Sequence, residues 1–455
     1  MPSKALPAVL LALWCIICGV CLITPPGIDL PAHGAQMQTL AELIRGGPAA
    51  AYFEAHLSVG YGLTTWLFLP VTLLFNGAVA AKLACWLAMV ATPVAIALLA
   101  RQLGQRWEIG IFAAPMSFSV SYWYGFLPSL FAVPLVIFGW VLTLAYLRQP
   151  SWRRVLGLSA LSTVVLLSHF IAFAAFAVGI LAICLAAPRS EPRWKALIVA
   201  FAPSVLAVPR VWELIHRAST GAAALPTRYN LDAHLLGVIK QYSFGARVAV
   251  WAEIALVVLL VGVSLRQGRR PSRTAWLLAM SQAALWVVMP DDLAGSWRVG
   301  VRLAVFVAVA AVCLISLERI PRWAFAVPAM AVVLVLNDHR QLAAELSGLS
   351  EVTKTPPPPG IHGGFSLKGN ALHHSRLALL EHQPQWWTAR WGGIGTHFFA
   401  DASHQPVQWR TEIALPTTLD AVLVFGEGEL PAALSDLKLV QQAGRWRRYE
   451  RANAR

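Results

Sequence analysis

The chain has 455 residues, of which 57% are hydrophobic and only 13% charged, with a mean hydropathy of +0.61. Soluble domains carry about 25% charged residues, so this composition excludes an ordinary soluble enzyme, and apolar runs near twenty residues recur along most of the chain, as in a polytopic membrane protein. The formal net charge of +14 would suggest a nucleic-acid partner in a soluble protein, but no nucleic-acid motif is present and much of the excess sits in short loops, where it sets membrane orientation.

The first apolar run covers 5–24 and follows Lys4, which predicts a cytoplasmic N-terminus. It lacks an A-x-A cleavage site and reads as a retained anchor. Segments this apolar satisfy their backbone in lipid only as helices, because barrel strands would alternate. Residues 25–58 then lie outside, with Asp29, His33, Glu42, Arg45, Glu54 and His56. In PPGIDLPAHGAQ (25–36), Asp29 and His33 are i and i+4 on a helix entered at Pro31, so they share a face. Asp29 also suits an N-cap with a proline close behind. Capping leaves His33 unexplained. A carboxylate beside an imidazole suits general-base chemistry, the carboxylate taking a proton from an acceptor hydroxyl.

The run VGYGLTTWLFLPVTLLF (59–75) decides the threading. As a span, it would put Arg101 and Arg106 outside, against the positive-inside rule. It is therefore predicted as interfacial or re-entrant, which Trp66, Pro70, Gly60 and Gly62 suit. Spans follow at 80–100, 109–125 (ending in the aromatic SYWYG, with Tyr124) and 127–147. The stretch 155–187 is basic at both ends, with Arg153 and Arg154 before it and Arg189, Arg193 and Lys195 after it. It is predicted as a hairpin of two short helices with His169 at the outer tip, lining a polar cavity or satisfied at the interface. Spans at 195–216, 248–265, 274–289, 299–317 and 323–336 bring the count to about eleven, N-terminus in and C-terminus out. No internal repeat shows.

Polar residues near outer helix ends are the functional candidates. Arg298 and Arg302 in SWRVGVRLAVF are again i and i+4. Arg298 suits snorkelling. Arg302 lies a turn deeper, where a planar donor suits a phosphate or pyrophosphate. Arg210 either pairs with Glu213 or serves as a second phosphate ligand. Asp291 and Asp292 either pair with the arginines or bind a metal, for which two carboxylates are a weak signal. His56, His169, Tyr124, Asp291 and Asp292 are the expected cavity lining. All six cysteines, including Cys15 and Cys18 of a C-x-x-C, lie in apolar segments and read as packing residues.

After 336 the character changes. Residues 341–360, with TPPPPG, read as a linker stiffened by proline. Residues 361–455 read as a small α/β module: DAVLVFG a strand, LPAALSDL a helix, and LKLVQQAGRWRRYE a hairpin turning at Ala443 and Gly444. The module holds half the histidines (362, 373, 374, 382, 397 and 404), but their spacing fits no zinc pattern. Trp386, Trp387, Trp391 and Trp409 suit sugar stacking, membrane contact or a small core.

A first span, an outer loop opening G-I-D-L-P-A-H, an amphipathic outer helix and a re-entrant one resemble the GT-C superfamily of integral membrane glycosyltransferases. Its relatives include protein mannosyltransferases, oligosaccharyltransferases and lipid A aminoarabinose transferases. The resemblance covers the architecture of residues 1–340. It implies an all-α polytopic membrane domain with outer juxtamembrane helices, ahead of the α/β module. It also implies sugar transfer from a polyprenyl-phosphate donor, among membrane lipids, to an extracytoplasmic glycan, lipid or protein. Asp29 matches the acidic residue of the first outer loop, and Arg302 best matches the basic residues for the donor phosphate, with Arg298 or Arg210 assisting. The paired acidic motif (D-D or E-x-D) is absent from the first loop. No cofactor is implied, and a divalent metal is not indicated. The tail ALHHSRLALLEHQPQWW resembles those of bacterial membrane proteins, which implies the bacterial inner membrane with the module in the periplasm. Two other readings stand beside this one. A transporter or flippase for lipid-linked glycans would carry ionisable groups at the midplane of repeated halves. A non-catalytic subunit of the same architecture would fit the missing second acid.

Overall fold

The computed structural model describes residues 6–23, 29–56, 61–188, 191–209, 212, 244–290, 298–358, 361–366, 383–392, 394–395, 407–409, 419–425, 430 and 434–452. The described chain is mostly helical, with a small sheet near the C-terminus. Three described helices are long and apolar enough to cross a membrane: Gly77–Gln102, Leu127–Arg148 and Val248–Arg266. Leu6–Cys21, Phe170–Ala186 and Val299–Val312 are shorter apolar helices. The chain folds as two compact units, Met1–Trp86 with Tyr122–Leu127 and Leu336–Arg455, and Leu87–Ser121 with Pro128–Val335.

The first unit is built around α2 (Leu30–Arg45), which follows α1 (Leu6–Cys21). Pro31 opens α2, where its missing N–H is no loss. Gly46 closes it at φ +70°, in the left-handed shape that glycine adopts without strain. Expected as an amphipathic outer helix, α2 is buried from Leu30 to Ala41. Its small residues make this possible. Gly34 lets Ala389 approach so closely that an added Cβ would sit 3.0 Å from that of Ala389. Ala32, Ala35 and Leu40 pack with Ala49, Phe53 and Val407. Strand β1 (Phe53–Ala55) follows. The segment 59–75 is not one span: where described it forms α3 (Leu63–Leu67) and α4 (Leu69–Leu74), broken at Phe68. Helix α5 (Gly77–Gln102) begins in this unit, where Gly77 N–H donates to Gln38 Oε1 (3.0 Å) and Trp86 Nε1 to the Cys15 carbonyl (3.0 Å).

The second unit is a helical assembly. The expected span 109–125 is broken into α6 (Ile109–Phe112), a 3-10 turn (Ala114–Phe118) and α7 (Val120–Tyr124). Pro115 removes a helical donor there, and the chain turns extended at Ser119. Helix α8 (Leu127–Arg148) matches its predicted span. Helices α9 (Trp152–Ser168) and α10 (Phe170–Ala186) form the predicted hairpin with His169 at its tip. The expected span 195–216 is also interrupted: α11 (Glu191–Phe201) gives way to a 3-10 turn at Pro203. Helices α12 (Phe244–Arg266), α13 (Arg273–Val288) and α14 (Val299–Val312) follow. One end of the unit gathers basic turns. Arg148 donates to Gln102 Oε1 (2.9 Å), Arg106 to the Glu318 carbonyl (2.9 Å), and Arg269 pairs with Glu318.

The linker expected at 341–360 is helical for most of its length, because α15 (Ala326–Val352) continues through it to Val352. The last ladder of the chain comprises β2 (Ile361–Ser366), β3 (Ile394–Gly395), β5 (Ala421–Phe425), β6 (Leu437–Ala443) and β7 (Trp446–Arg451), in the order β3-β2-β5-β7-β6. The strand at DAVLVFG and the hairpin turning at Gly444 (φ +56°) are as predicted; of LPAALSDL, read as a helix, residues 431–433 lie outside the described residues and the rest is no α-helix, since the chain turns at 434–436 and Leu437 already begins β6. Two further pieces, β4 (Val407–Trp409) and α16 (Trp386–Trp391), leave the module for the N-terminal part of the unit. Strand β4 pairs with β1, and α16 packs on α2.

Candidate functional site

Asp29 stands at the N-terminus of α2, half-buried, with φ −91° and ψ −12°. Its side chain makes no capping hydrogen bond to the helix, so capping does not account for the carboxylate. Its backbone is fixed on both sides: the Asp29 N–H donates to the Tyr124 carbonyl (2.8 Å), and the Asp29 carbonyl accepts from His33 N–H (3.0 Å). His33 is buried one turn along. Tyr124 is buried and stacks on Phe126 at 5.1 Å. The structure therefore brings Asp29, His33 and Tyr124 together. His56 is half-exposed, with its Nε2 2.9 Å from a Glu54 carboxylate oxygen.

The segment carrying Tyr124 has a second attachment. The Tyr122 hydroxyl bonds to His339 Nε2 (2.9 Å), and the His339 ring stacks on Trp123 at 5.3 Å. Asp338 and His339 are both buried, although they lie in the polar turn N-D-H-R after an apolar run. These two residues were missed in the sequence. Their signal was an acid and an imidazole prolonging a helix that the apolar pattern ends at residue 336.

In the second unit, Arg302 NH1 lies 3.2 Å from His169 Nε2, and both side chains are buried. The other ring nitrogen, Nδ1, accepts the Ala172 N–H at 3.2 Å and so caps α10. A neutral imidazole accepts through one ring nitrogen only, so the tautomer decides which of these two contacts is a hydrogen bond. In either tautomer the Arg302 guanidinium is a charged planar donor, and anionic oxygens bind such donors best. Arg298 caps α14 with φ +56° and ψ +48°, the only positive φ at a non-glycine among the described residues. Residues other than glycine rarely hold this shape outside constrained sites. Arg210, Asp291 and Asp292 lie outside the described residues.

The C-terminal aromatic and imidazole groups divide differently. Trp387 is fully buried and donates to the Thr355 carbonyl (3.0 Å), so it belongs to the core. His362 Nε2 bonds to Thr388 Oγ1 (2.8 Å), and burial pushes its imidazole down to about 4. The other five histidines of the module and the Trp409 side chain lie outside the described residues. No group of three or more His, Cys, Asp or Glu side chains arranged to hold a metal occurs among the described residues.

The sequence matches no protein-family model and no curated protein. The structure does find a likeness. It superposes on the crystal structure of ArnT from Cupriavidus metallidurans bound to undecaprenyl phosphate, with a TM-score of 0.53 over 99% of each chain at 12% identity. The chain has the GT-C fold. A second likeness, to the archaeal oligosaccharyltransferase AglB from Archaeoglobus fulgidus in complex with an inhibitory peptide and a dolichol-phosphate, has a TM-score of 0.46 and 11% identity, covering 86% of this chain and 64% of that one. Within the GT-C fold, Asp29 heads the helix after the first apolar helix, and Arg302 lies one turn into a later apolar helix.

Proposed function

We propose that the chain is a glycosyltransferase of the bacterial inner membrane. It moves a sugar from a polyprenyl-phosphate donor to an extracytoplasmic glycan, lipid or protein. The observation that carries this reading is the buried Arg302 guanidinium beside His169 at the head of α10, a planar charged donor suited to an anionic oxygen. The undecaprenyl phosphate bound to ArnT is a ligand of this class.

In this reading Arg302 and His169 hold the donor phosphate, with Arg298 and Arg210 assisting. Asp29 takes the proton of the acceptor hydroxyl, and His33 tunes the carboxylate from the same helix face. The acceptor oxygen attacks the anomeric carbon from the side opposite the phosphate. The bond from that carbon to the phosphate oxygen breaks, and its electron pair leaves with the polyprenyl phosphate. The donors at Arg302 and His169 stabilise the charge that develops there. The sugar configuration inverts. About eleven crossings put the N-terminus in the cytoplasm and the C-terminal module in the periplasm; the meeting of the basic turns at one end of the second unit supports this orientation.

The test is direct. Purified protein is given polyprenyl-phosphate sugars and candidate acceptors, and donor consumption is followed by chromatography. Asp29→Asn is expected to lower turnover by about 10²–10⁴-fold, the usual worth of a general base. Full transfer by Asp29→Asn removes Asp29 as the base. A wild-type protein that consumes no polyprenyl donor sinks the whole reading.

A further inference from the structure

Helix α12 carries a residue that neither the sequence pattern nor the mechanism above uses. Ala249, Glu253, Leu256, Leu260 and Ser264 are its buried positions, at the spacing of one helix face. Val248, Trp251, Ile254, Val258 and Leu259, elsewhere on the helix, are exposed. Glu253 therefore holds an inward position in a helix long and apolar enough to cross a membrane. It is only 9% exposed, and its Oε1 is buried with no hydrogen-bond partner. Ser264, on the same face, is satisfied: it donates to the Leu260 carbonyl (2.8 Å) and accepts from Ser316 N–H (3.1 Å). A leucine at 253 would continue the stripe at no polar cost. A carboxylate removed from water without a partner is costly, and acids inside spans mark ligand pathways.

We propose that Glu253 is a substrate-binding carboxylate that accepts hydrogen bonds from hydroxyl or amino groups of a lipid-linked sugar. This rests on the reading of the chain as a polyprenyl-phosphate-dependent glycosyltransferase. Glu253 has two oxygens that can accept from two neighbouring hydroxyls. It lies five residues past Val248, the first residue of the span expected at 248–265, a depth of about 7.5 Å along the axis. Sugar hydroxyls reach such a depth when a lipid delivers them.

The experiment uses full-length protein in nanodiscs, wild type and Glu253→Gln. Glutamine keeps the shape and removes the buried acid, so the fold is retained, and the melting temperature checks this. Carboxyl groups are labelled with a hydrophobic carbodiimide and mapped by mass spectrometry. Labelling is done alone, with bare polyprenyl phosphate, and with a panel of polyprenyl-phosphate hexoses and pentoses. Wild type is expected to label at Glu253, at least one sugar lipid is expected to suppress the adduct, and bare polyprenyl phosphate is expected to leave it unchanged. Glu253→Gln is expected to raise the donor KM by about tenfold, the worth of a lost buried hydrogen bond, with a melting temperature no lower than wild type. Equal protection by bare polyprenyl phosphate, no protection by any sugar lipid, or an unchanged donor KM overturns the proposal. If wild type consumes no donor at all, the functional reading falls, and the protection pattern still decides whether Glu253 binds the sugar.

Discussion

His169 performs two tasks with its two ring nitrogens, and they can be separated. Nδ1 caps α10 through the Ala172 N–H, while Nε2 faces Arg302. Asparagine is among the best helix caps but is too short to put a donor beside Arg302. His169→Asn is therefore expected to melt near the wild-type temperature while its donor KM rises about tenfold. His169→Ala, which loses the cap as well, is expected to cost about 1 kcal/mol more stability. An unchanged KM in His169→Asn would show that Nε2 holds no ligand. His362 gives a prediction of another kind. Its imidazole is neutral in the fold and pushed down to about 4 by burial, against 6.5 in the open chain. Between those values the unfolded chain binds the extra proton. Stability from this group is thus complete above pH 6.5 and falls as the pH drops toward 4, by a total on the order of 3 kcal/mol. Chemical denaturation of wild type and His362→Gln at pH 7.5, 5.5 and 4.5 checks the slope, which the variant should lose. At this scale the sequence was partly readable. Asp29, His33, His169 and Arg302 stood out as polar groups at the edges of apolar runs. The contact between His169 and Arg302 joins residues 133 positions apart, and no local spacing encodes it. Asp338, His339 and Glu253 were passed over because each is embedded in a helix whose other residues dominate the pattern.

Helix packing in the second unit depends on glycines, and this too is testable. Helices α8 and α10 cross where Gly139 meets Phe176 and Gly179 meets Trp140, whose Nε1 donates to the Phe176 carbonyl at 3.3 Å. A methyl group at either glycine would overlap the facing ring. Small residues at membrane helix crossings give their stability through this close approach. Gly179→Ala and Gly139→Ala are therefore expected to destabilise by about 1–3 kcal/mol, the usual cost of overpacking. Gly262 in α12 has nothing within 4 Å of the position a Cβ would take, so Gly262→Ala is the neutral control. Thermal unfolding in detergent, followed by tryptophan fluorescence, ranks the three. Equal melting of all three variants would mean that the crossing is loose. Elements bounded by charge were the most legible. The hairpin of α9 and α10 followed from basic residues at both ends of one long run, since a single helix would have carried one end across. The break of 59–75 at Phe68 agrees with the decision not to thread it as a span. The breaks at Pro115 and Pro203 were not read, because hydropathy averages over a proline that the backbone cannot ignore.

The division of the chain into units departs most from what linear reading suggests. Composition changes near residue 340, and a boundary there seems natural. Yet the compact unit that holds Asp29 is made from both ends of the chain. The reason lies in α2. A helix of sixteen residues whose first twelve are buried needs cover on several sides. Helices α3 and α4 and the 3-10 turn at 48–51 supply part of it, and α16 supplies another part from some 350 residues later. There Gly34 admits Ala389, while Gly392, at φ +81°, leaves no room for a Cβ beside the Glu42 carboxylate. Strand β1 also takes its partner from the tail, Phe53 opposite Trp409 and Ala55 opposite Val407. The tail is thus a structural half of the unit that positions Asp29. Removing residues 355–455 is expected to uncover α2 and leave β1 unpaired, and so to expose the buried Leu40 to thermolysin and abolish donor consumption while the membrane helices still insert. Restoring the tail as a separate polypeptide should recover part of the protection, because its five-stranded sheet draws every strand from 361–451. Limited proteolysis of the truncated and the complemented proteins, with the fragments assigned by mass spectrometry, reads both outcomes. A truncated protein that keeps Leu40 protected and remains active would return the tail to the role of an appended domain, and the burial of α2 would then need another source.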